Sequence, residues 1–386
     1  MKTADRLENF RAYLGPAMNQ KIALMKADGR DVINLGLGDP DTTPPDHILK
    51  ALGEAVADPG NHHYPSAYPI NPFYKAIAGW YKKRYNVEVD PETEVLYLMG
   101  AAEGLYQIPN CLLDTGDTAL VADPAYPSYE AGIKIAGGEV IFYPLTAEND
   151  FLPDLDNIPA DTAKKARMIW VNFPNNPTAA VADEKFYRKL IEWAREYDVW
   201  VMSDNPYMEI SFDGYRPASF LSIPGAKEVG AELNSMSKSF NCCGWRVGML
   251  LGNRKIIEGM AKIKSQADRG IFYPLQAAAT AALTGPVDWM EERNRIFTER
   301  RDVVHEAWTK MGLAMTKPKA TFYCWGKIPE GFKSRDFSMK LLDEQNVWMI
   351  PGSTYGEGGE GYVRISNAQP VERLSEAMER IKKFIS

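Results

Sequence analysis

The stretch Ser235-Met-Ser-Lys-Ser-Phe-Asn-Cys-Cys-Gly-Trp-Arg246 sets Lys238 among hydroxyls at the end of an apolar run, with an arginine eight residues after the lysine. GAELNSMS (230–237) reads as a strand that closes on serines, and RVGMLLG (246–252) reads as another. A lysine there becomes a nucleophile toward a carbonyl carbon when burial or nearby cations lower its pKa. Hydroxyls and a guanidinium beside it suit a phosphate dianion. Alone, the segment also reads as a solvated loop with one lysine, so its surroundings in sequence decide.

Working outward, EVLYLMG (94–100), TALVADPAY (118–126), EVIFYPL (139–145), ARMIWVNFPNNP (166–177) and VWVMSDNPY (199–207) are further strand candidates, each closed by turn residues. AAEGLYQIPNCLL (101–113) and KFYRKLIEWAREYD (185–198) carry helical spacing. Strands that are apolar throughout and separated by helices predict an α/β fold, a mostly parallel central sheet flanked by helices. From 275 to 312 the pattern is helical, and then ATFYCWGKI, VWMIPG and GYVRIS alternate with helices, which predicts a smaller α+β domain. The N-terminal lead-in and VINLGLGDPD (32–41) are expected to join it. The expected division is a large domain at 46–280 and a small one made of 1–45 with 281–386.

In such sheets chemistry collects at the carboxyl ends of strands. Asp204 stands where a carboxylate can meet a pyridine nitrogen, keeping it protonated and the ring electron-poor. Tyr207 and Asn176 can reach a ring oxygen, and Tyr126 can stack on a ring face. Ala101, Ala102 and Glu103 open a helix after a glycine, so their N–H groups form an anion site. Any one of these residues alone reads as a turn or cap. Their joint occurrence, in this order, carries the argument.

Composition narrows the rest. The net charge is −7, with 45% hydrophobic and 25% charged residues, so no basic footprint for nucleic acid exists. The four cysteines, Cys111, Cys242, Cys243 and Cys324, form no C-x-x-C pair and read as reduced thiols. The four histidines lack metal-ligand spacing with them, so no metal site is expected. No apolar signal core or membrane-length run occurs, and a cytoplasmic location is the expectation.

The Asn-Pro of PNNPT, the Asp-x-x-Tyr of SDNPY, the Ser-x-Ser-Lys of SMSKSF with GWRVG, and YVRIS stand in one order along nearly the whole chain. Together they resemble the fold-type I pyridoxal-5′-phosphate (PLP)-dependent aminotransferases of class I/II. The resemblance implies that Lys238 joins PLP as an imine and Asp204 pairs with its pyridine nitrogen. It further implies that Tyr207 and Asn176 contact the 3′ oxygen, that Ser235, Ser237 and Arg246 hold the phosphate, and that Tyr126 stacks. By the same resemblance Arg364 and the Gly38 N–H grip a substrate carboxylate. Tyr64 reaches the phosphate of a partner subunit, so a homodimer with shared active sites is implied. The implied reaction moves an amino group between an L-amino acid and a 2-oxo acid in ping-pong fashion.

LGLGDPD, FYCWGKIP and PGSTYGEGGEGYVRIS are most similar to the aspartate/alanine-type and LL-diaminopimelate branch, with aspartate, alanine or LL-diaminopimelate as candidate donors. Three features depart from it: Ala-Ala-Glu-Gly at 101–104, Cys242-Cys243, and no glycine after the tyrosine in HHYPSAYP. Lys264, Gln266 and Arg269 are candidates for a distal substrate group, and Tyr13 and Tyr355 are further pocket candidates. A lyase or decarboxylase on the same fold is the alternative, since cofactor motifs do not separate it. A serine acyl enzyme fails on motif order, since S-D-N precedes S-x-x-K and no K-T-G follows. A dinucleotide site fails because Gly36-Leu-Gly38 lacks a third glycine.

Overall fold

The computed structural model describes residues 2–4, 7, 14–65 and 71–386. Its strands, numbered along the chain, are β1 (Ile33–Asn34), β2 (Val95–Leu98), β3 (Thr118–Asp123), β4 (Glu139–Pro144), β5 (Ala166–Val171) and β6 (Trp200–Asp204). They continue as β7 (Gly230–Ser235), β8 (Gly248–Gly252), β9 (Tyr323–Lys327), β10 (Val347–Trp348), β11 (Ile350–Pro351) and β12 (Tyr362–Ser366).

The main sheet has seven strands in the order β2-β8-β7-β6-β5-β3-β4. β4, β3, β5, β6 and β7 run parallel, and β8 is antiparallel to both of its neighbours. All residues of β7 and β8 are buried, and solvent-exposed positions are confined to the edge strand β4 and to Arg167 at the start of β5. That is the signature of a sheet covered on both faces. Each Val, Leu or Ile sealed there contributes about 1.5–3 kcal/mol. Gly104 lets the helix Ala101–Leu112 lie against this sheet, since a Cβ there would stand 2.4 Å from Leu233 Cδ2.

Two reversals, β7 to β8 and β8 to β2, restore the direction, so β2 runs with β7. The carboxyl ends of β2, β3, β5, β6 and β7 therefore share one edge of the sheet. Residues 100–102, 126, 172–176, 204–207 and 235–238 gather along it, and Arg246 enters just before β8 begins there.

A second core joins Ile33, Leu35, Trp308, Cys324, Phe337, Val363 and Leu374. It lies on an antiparallel sheet β11-β12-β9, with Arg364 opposite Trp325 and Ile350. Ile33 pairs with Val347, and the Ser366 N–H donates to Leu35 O at 2.8 Å, so the segment around Gly36–Gly38 runs beside β12. The boundary expected at 280 falls inside the helix Tyr273–Thr284, which packs on Asp46–Ala57 and Pro72–Tyr85.

Candidate active site

A cleft of about 620 Å³ opens at the carboxyl edge of the main sheet. Lys238, Asp204, Tyr207, Asn176, Tyr126, Ser235, Ser237, Arg246, Ala101, Ala102, Gly38, Arg364 and Tyr355 all line it. Segments separated by more than 300 residues in sequence meet there because strand ends and the Gly36–Gly38 strap converge.

Asp204 ends β6 and is 6% exposed. Its Oδ2 accepts the Tyr129 hydroxyl at 2.6 Å, while its Oδ1 is buried without a partner. Burial lifts this carboxyl to about 6, against the opposing hydrogen bond from Tyr129. Asn172 donates to the Asp204 carbonyl at 2.6 Å and accepts the Asn176 N–H at 2.8 Å, so β5 and β6 hold each other's strand ends. Tyr129 packs between Trp170, stacked at 5.1 Å, and Tyr126, edge-on at 6.1 Å. Burial, then neighbouring Tyr323, keeps the Tyr207 phenol well above its ordinary pKa, so it stays protonated. Its hydroxyl lies 3.2 Å from that of Tyr323.

Lys238 sits in the four-residue turn Met236–Ser239, whose front is capped by Ser235 Oγ accepting the Ser237 N–H at 3.1 Å. Its Nζ donates to Gly38 O and lies 3.3 Å from Asp39 Oδ1 and 3.2 Å from Cys243 Sγ. Burial opposes the ammonium, yet Tyr323, Cys243 and Asp39 outweigh it, and the amine lies above its ordinary pKa. Lowering by burial or by cations is the condition under which such an amine becomes a nucleophile, and the resting amine does not meet it. The cause is plain: the groups nearest Nζ are oxygen and sulfur acceptors rather than cations.

Gly100 takes φ +75° before the helix Ala101–Leu112, and a Cβ there would strike Arg246 Nη2 at 2.4 Å. The bare backbone thus lets the guanidinium approach the first helical turn, where N–H groups point outward. Ser235, Ser237 and Arg246 line the cleft at this corner. Glu103, expected with Ala101 and Ala102, is elsewhere. Its N–H returns to Gly100 O, its carboxylate caps Met99 N and pairs with Lys264 at 2.7 Å.

On the opposite wall, Arg364 donates to Asn176 Oδ1 at 2.9 Å and Gly36 O at 3.2 Å, with its guanidinium 4.0 Å over the Tyr323 ring. Lys264 is sealed between Glu103 and Asp268, and neither Gln266 nor Arg269 is on the cleft wall. Arg269 stacks over Tyr64, which is 78% exposed and outside the cleft. Tyr13 lies outside the described residues. All four cysteines are free, and no cluster of metal-ligating side chains exists among the described residues. No helix of the described chain is long and apolar enough to cross a membrane.

Tyr129, Asn172, Tyr323 and Asp39 were not singled out by sequence, and Cys243 was marked only as a departure from the family branch. Asn172 directly follows β5, and Tyr129 lies in the helix Ser128–Ile135 that follows β3. Tyr323 lies within β9, where only the fold turns its hydroxyl toward Tyr207.

One cleft thus gathers a lysine, a buried carboxylate and two guanidiniums, those of Lys238, Asp204, Arg246 and Arg364. The chain belongs to the aminotransferase class I and II family, whose match spans residues 30–381. It is an aminotransferase, moving an amino group between an amino acid and a 2-oxo acid. A LL-diaminopimelate aminotransferase of Halothermothrix orenii is 45% identical over 382 residues, covering 99% of this chain and 98% of that one. One from Syntrophobacter fumaroxidans is 47% identical over 381 residues, with 99% and 98% covered. The solved structure of substrate-bound BacF from Bacillus subtilis superposes with a TM-score of 0.95 at 40% identity, covering 100% of this chain and 98% of that one.

Proposed function

We propose that the cleft binds PLP and that the chain is a PLP-dependent transaminase with LL-diaminopimelate as amino donor. The observation that carries the cofactor is Asp204 Oδ1, a buried acceptor without a partner, facing a cleft that also holds Lys238 and Arg246. An unmet buried acceptor calls for a donor, and a protonated pyridine nitrogen is one. When bound, PLP supplies an electron-poor ring that stabilises negative charge developing on the substrate Cα.

Lys238 would hold the cofactor through Nζ, and Asp204 would keep the ring nitrogen's proton in place. Tyr207 and Asn176 would donate to the ring oxygen, and Tyr126 would cover one face. Ser235, Ser237, Arg246 and the N–H groups of Ala101 and Ala102 would hold the phosphate. Arg364, planar and fixed against Tyr323, offers a bidentate grip on the substrate α-carboxylate, with the Gly38 N–H beside it. That grip would orient Cα–H toward Lys238, whose Nζ, freed when the substrate amine takes its place, would remove the Cα proton and deliver it to the cofactor carbon that keeps the amino group. Before it can accept a proton, Nζ has to give up its own, and Asp39 at 3.3 Å is the nearest carboxylate.

The donor assignment is supported by relatives near 45% identity over the full chain. Exposed Tyr64 is proposed to reach a partner's phosphate in a homodimer. The proposed division keeps 46–280 as the cofactor-binding body and 1–45 with 281–386 as the smaller one, in the cytoplasm. The test is a screen of single amino acids, LL-diaminopimelate, aspartate and alanine among them, against the holoenzyme. Conversion of its visible band to that of the amine form is expected, fastest with LL-diaminopimelate. Equal or faster conversion by another amino acid overturns the donor, and release of ammonia or carbon dioxide instead overturns transamination.

A further inference from the structure

Arg293, on the helix Trp289–Lys310, is 4% exposed and pairs with no carboxylate in its own hydrogen bonds. The nearby carboxylate of Glu209 is taken by Arg84 and Tyr85. Arg293 instead spends its donors on main chain and amide oxygens. Nη1 donates to Ser239 O at 2.6 Å and reaches Lys238 O at 3.4 Å, Nη2 donates to Glu209 O, and Nε to Asn294 Oδ1 at 3.2 Å. The guanidinium lies 5.1 Å from the Trp289 ring. Burial lowers its pKa to about 10, still charged near neutrality. A buried cation is costly, so its partners show what it is kept for.

Those partners are two pieces of the site. Ser239 and Lys238 end the turn that carries the reactive amine, where helix carbonyls lack partners of their own. Glu209 stands two residues past Tyr207, whose carbonyl accepts the Ile210 N–H at 3.0 Å. We infer that Arg293 is a positioning residue, a clamp that fixes the main chain of Lys238 against the Tyr207 segment and so sets where the amine stands relative to the phenol. Ser235 caps one end of the turn and Arg293 the other. The inference rests on the proposed role of Lys238.

The experiment compares wild type, Arg293→Met and Arg293→Lys as holoenzymes, with Arg293→Gln in reserve should the methionine variant fail to fold. Arg293→Met is expected to lose about 10- to 100-fold in kcat, as a misplacement of the reacting group does, while KM moves far less. The pH midpoint of the visible band shifts, and so does the pH dependence of amine labelling at Lys238 in cofactor-free protein. Arg293→Lys restores part of each. A folded Met or Gln variant with wild-type kcat and an unmoved midpoint overturns the inference, as does a loss confined to thermal stability. Wild type without a visible band overturns instead the reading of the site itself.

Discussion

Asp204 and Glu232 stand on adjacent strands, β6 and β7, within one residue of being cross-strand neighbours, since Ser203 pairs with Glu232. Both are buried, and burial raises both, to about 6 and about 7. They differ in what meets their oxygens. Glu232 accepts Tyr81 at 2.8 Å, Ser219 at 2.9 and 3.1 Å, and the Phe220 N–H at 2.8 Å. Asp204 has Tyr129 on one oxygen and no partner on the other. A raised pKa is thus common to a structural carboxylate and to one in the site. The unfilled acceptor, opening on a cleft, is what separates them.

The contrast breaks most sharply by mutation. Asp204→Asn keeps the shape and removes the charge, and kcat should fall by about 10²–10³-fold, the scale of losing one preorganised electrostatic partner, with folding intact. Glu232→Ala should do the reverse. It strands the donors of Tyr81, Ser219 and Phe220, costing about 2–5 kcal/mol in urea unfolding while kcat per folded molecule holds. Equal damage to activity and stability by both changes would erase the distinction.

Arg364→Met tests the other wall. Loss of a charge-assisted pair should lower kcat/KM by about 10²-fold for every α-amino acid, with little change in cofactor retention. A loss of cofactor instead would move Arg364 out of the substrate subsite.

Titration gives a third handle. A carboxyl whose folded pKa is raised stabilises fully below its unfolded pKa and loses that contribution as pH climbs through the folded value. For Asp204 the window runs from 3.8 to about 6. The shift corresponds to about 3 kcal/mol. Cofactor-free wild type should therefore lose stability across that window relative to Asp204→Asn, read from urea midpoints at several pH values. Parallel curves would contradict the burial of an unmet carboxylate. Smallest is Tyr129→Phe, which deletes the hydroxyl donor to the Asp204 carboxylate. It should raise the Asp204 pKa further and slow kcat about fivefold, equivalent to about 1 kcal/mol.

Much of this was legible in the sequence, for stated reasons. Strands buried on both faces leave largely apolar runs, so β3, β5, β6 and β8 announced themselves, and the order of Asp204, Tyr207 and Lys238 pointed to the strand ends that line the cleft. Glu103 misled because a residue in a first helical turn can offer its N–H outward or return it to the cap, and only the capping of Met99 by its carboxylate decides. Lys264 misled because helical spacing does not say which face meets Glu103 and Asp268. The direction of the Lys238 shift depends on Tyr323, then Cys243 and Asp39; Tyr323 and Asp39 are distant in sequence, and no local pattern reports those contacts. Tyr323 stayed hidden for the same reason.

The central claim is that one amine, that of Lys238, holds the cofactor in the corner beside Asp204 and Arg246. Borohydride reduction of the holoenzyme followed by peptide mass mapping tests it most directly. The account predicts a reduced PLP adduct on the peptide containing Lys238 and on no other lysine; an adduct elsewhere, or none on a PLP-saturated protein, would contradict it.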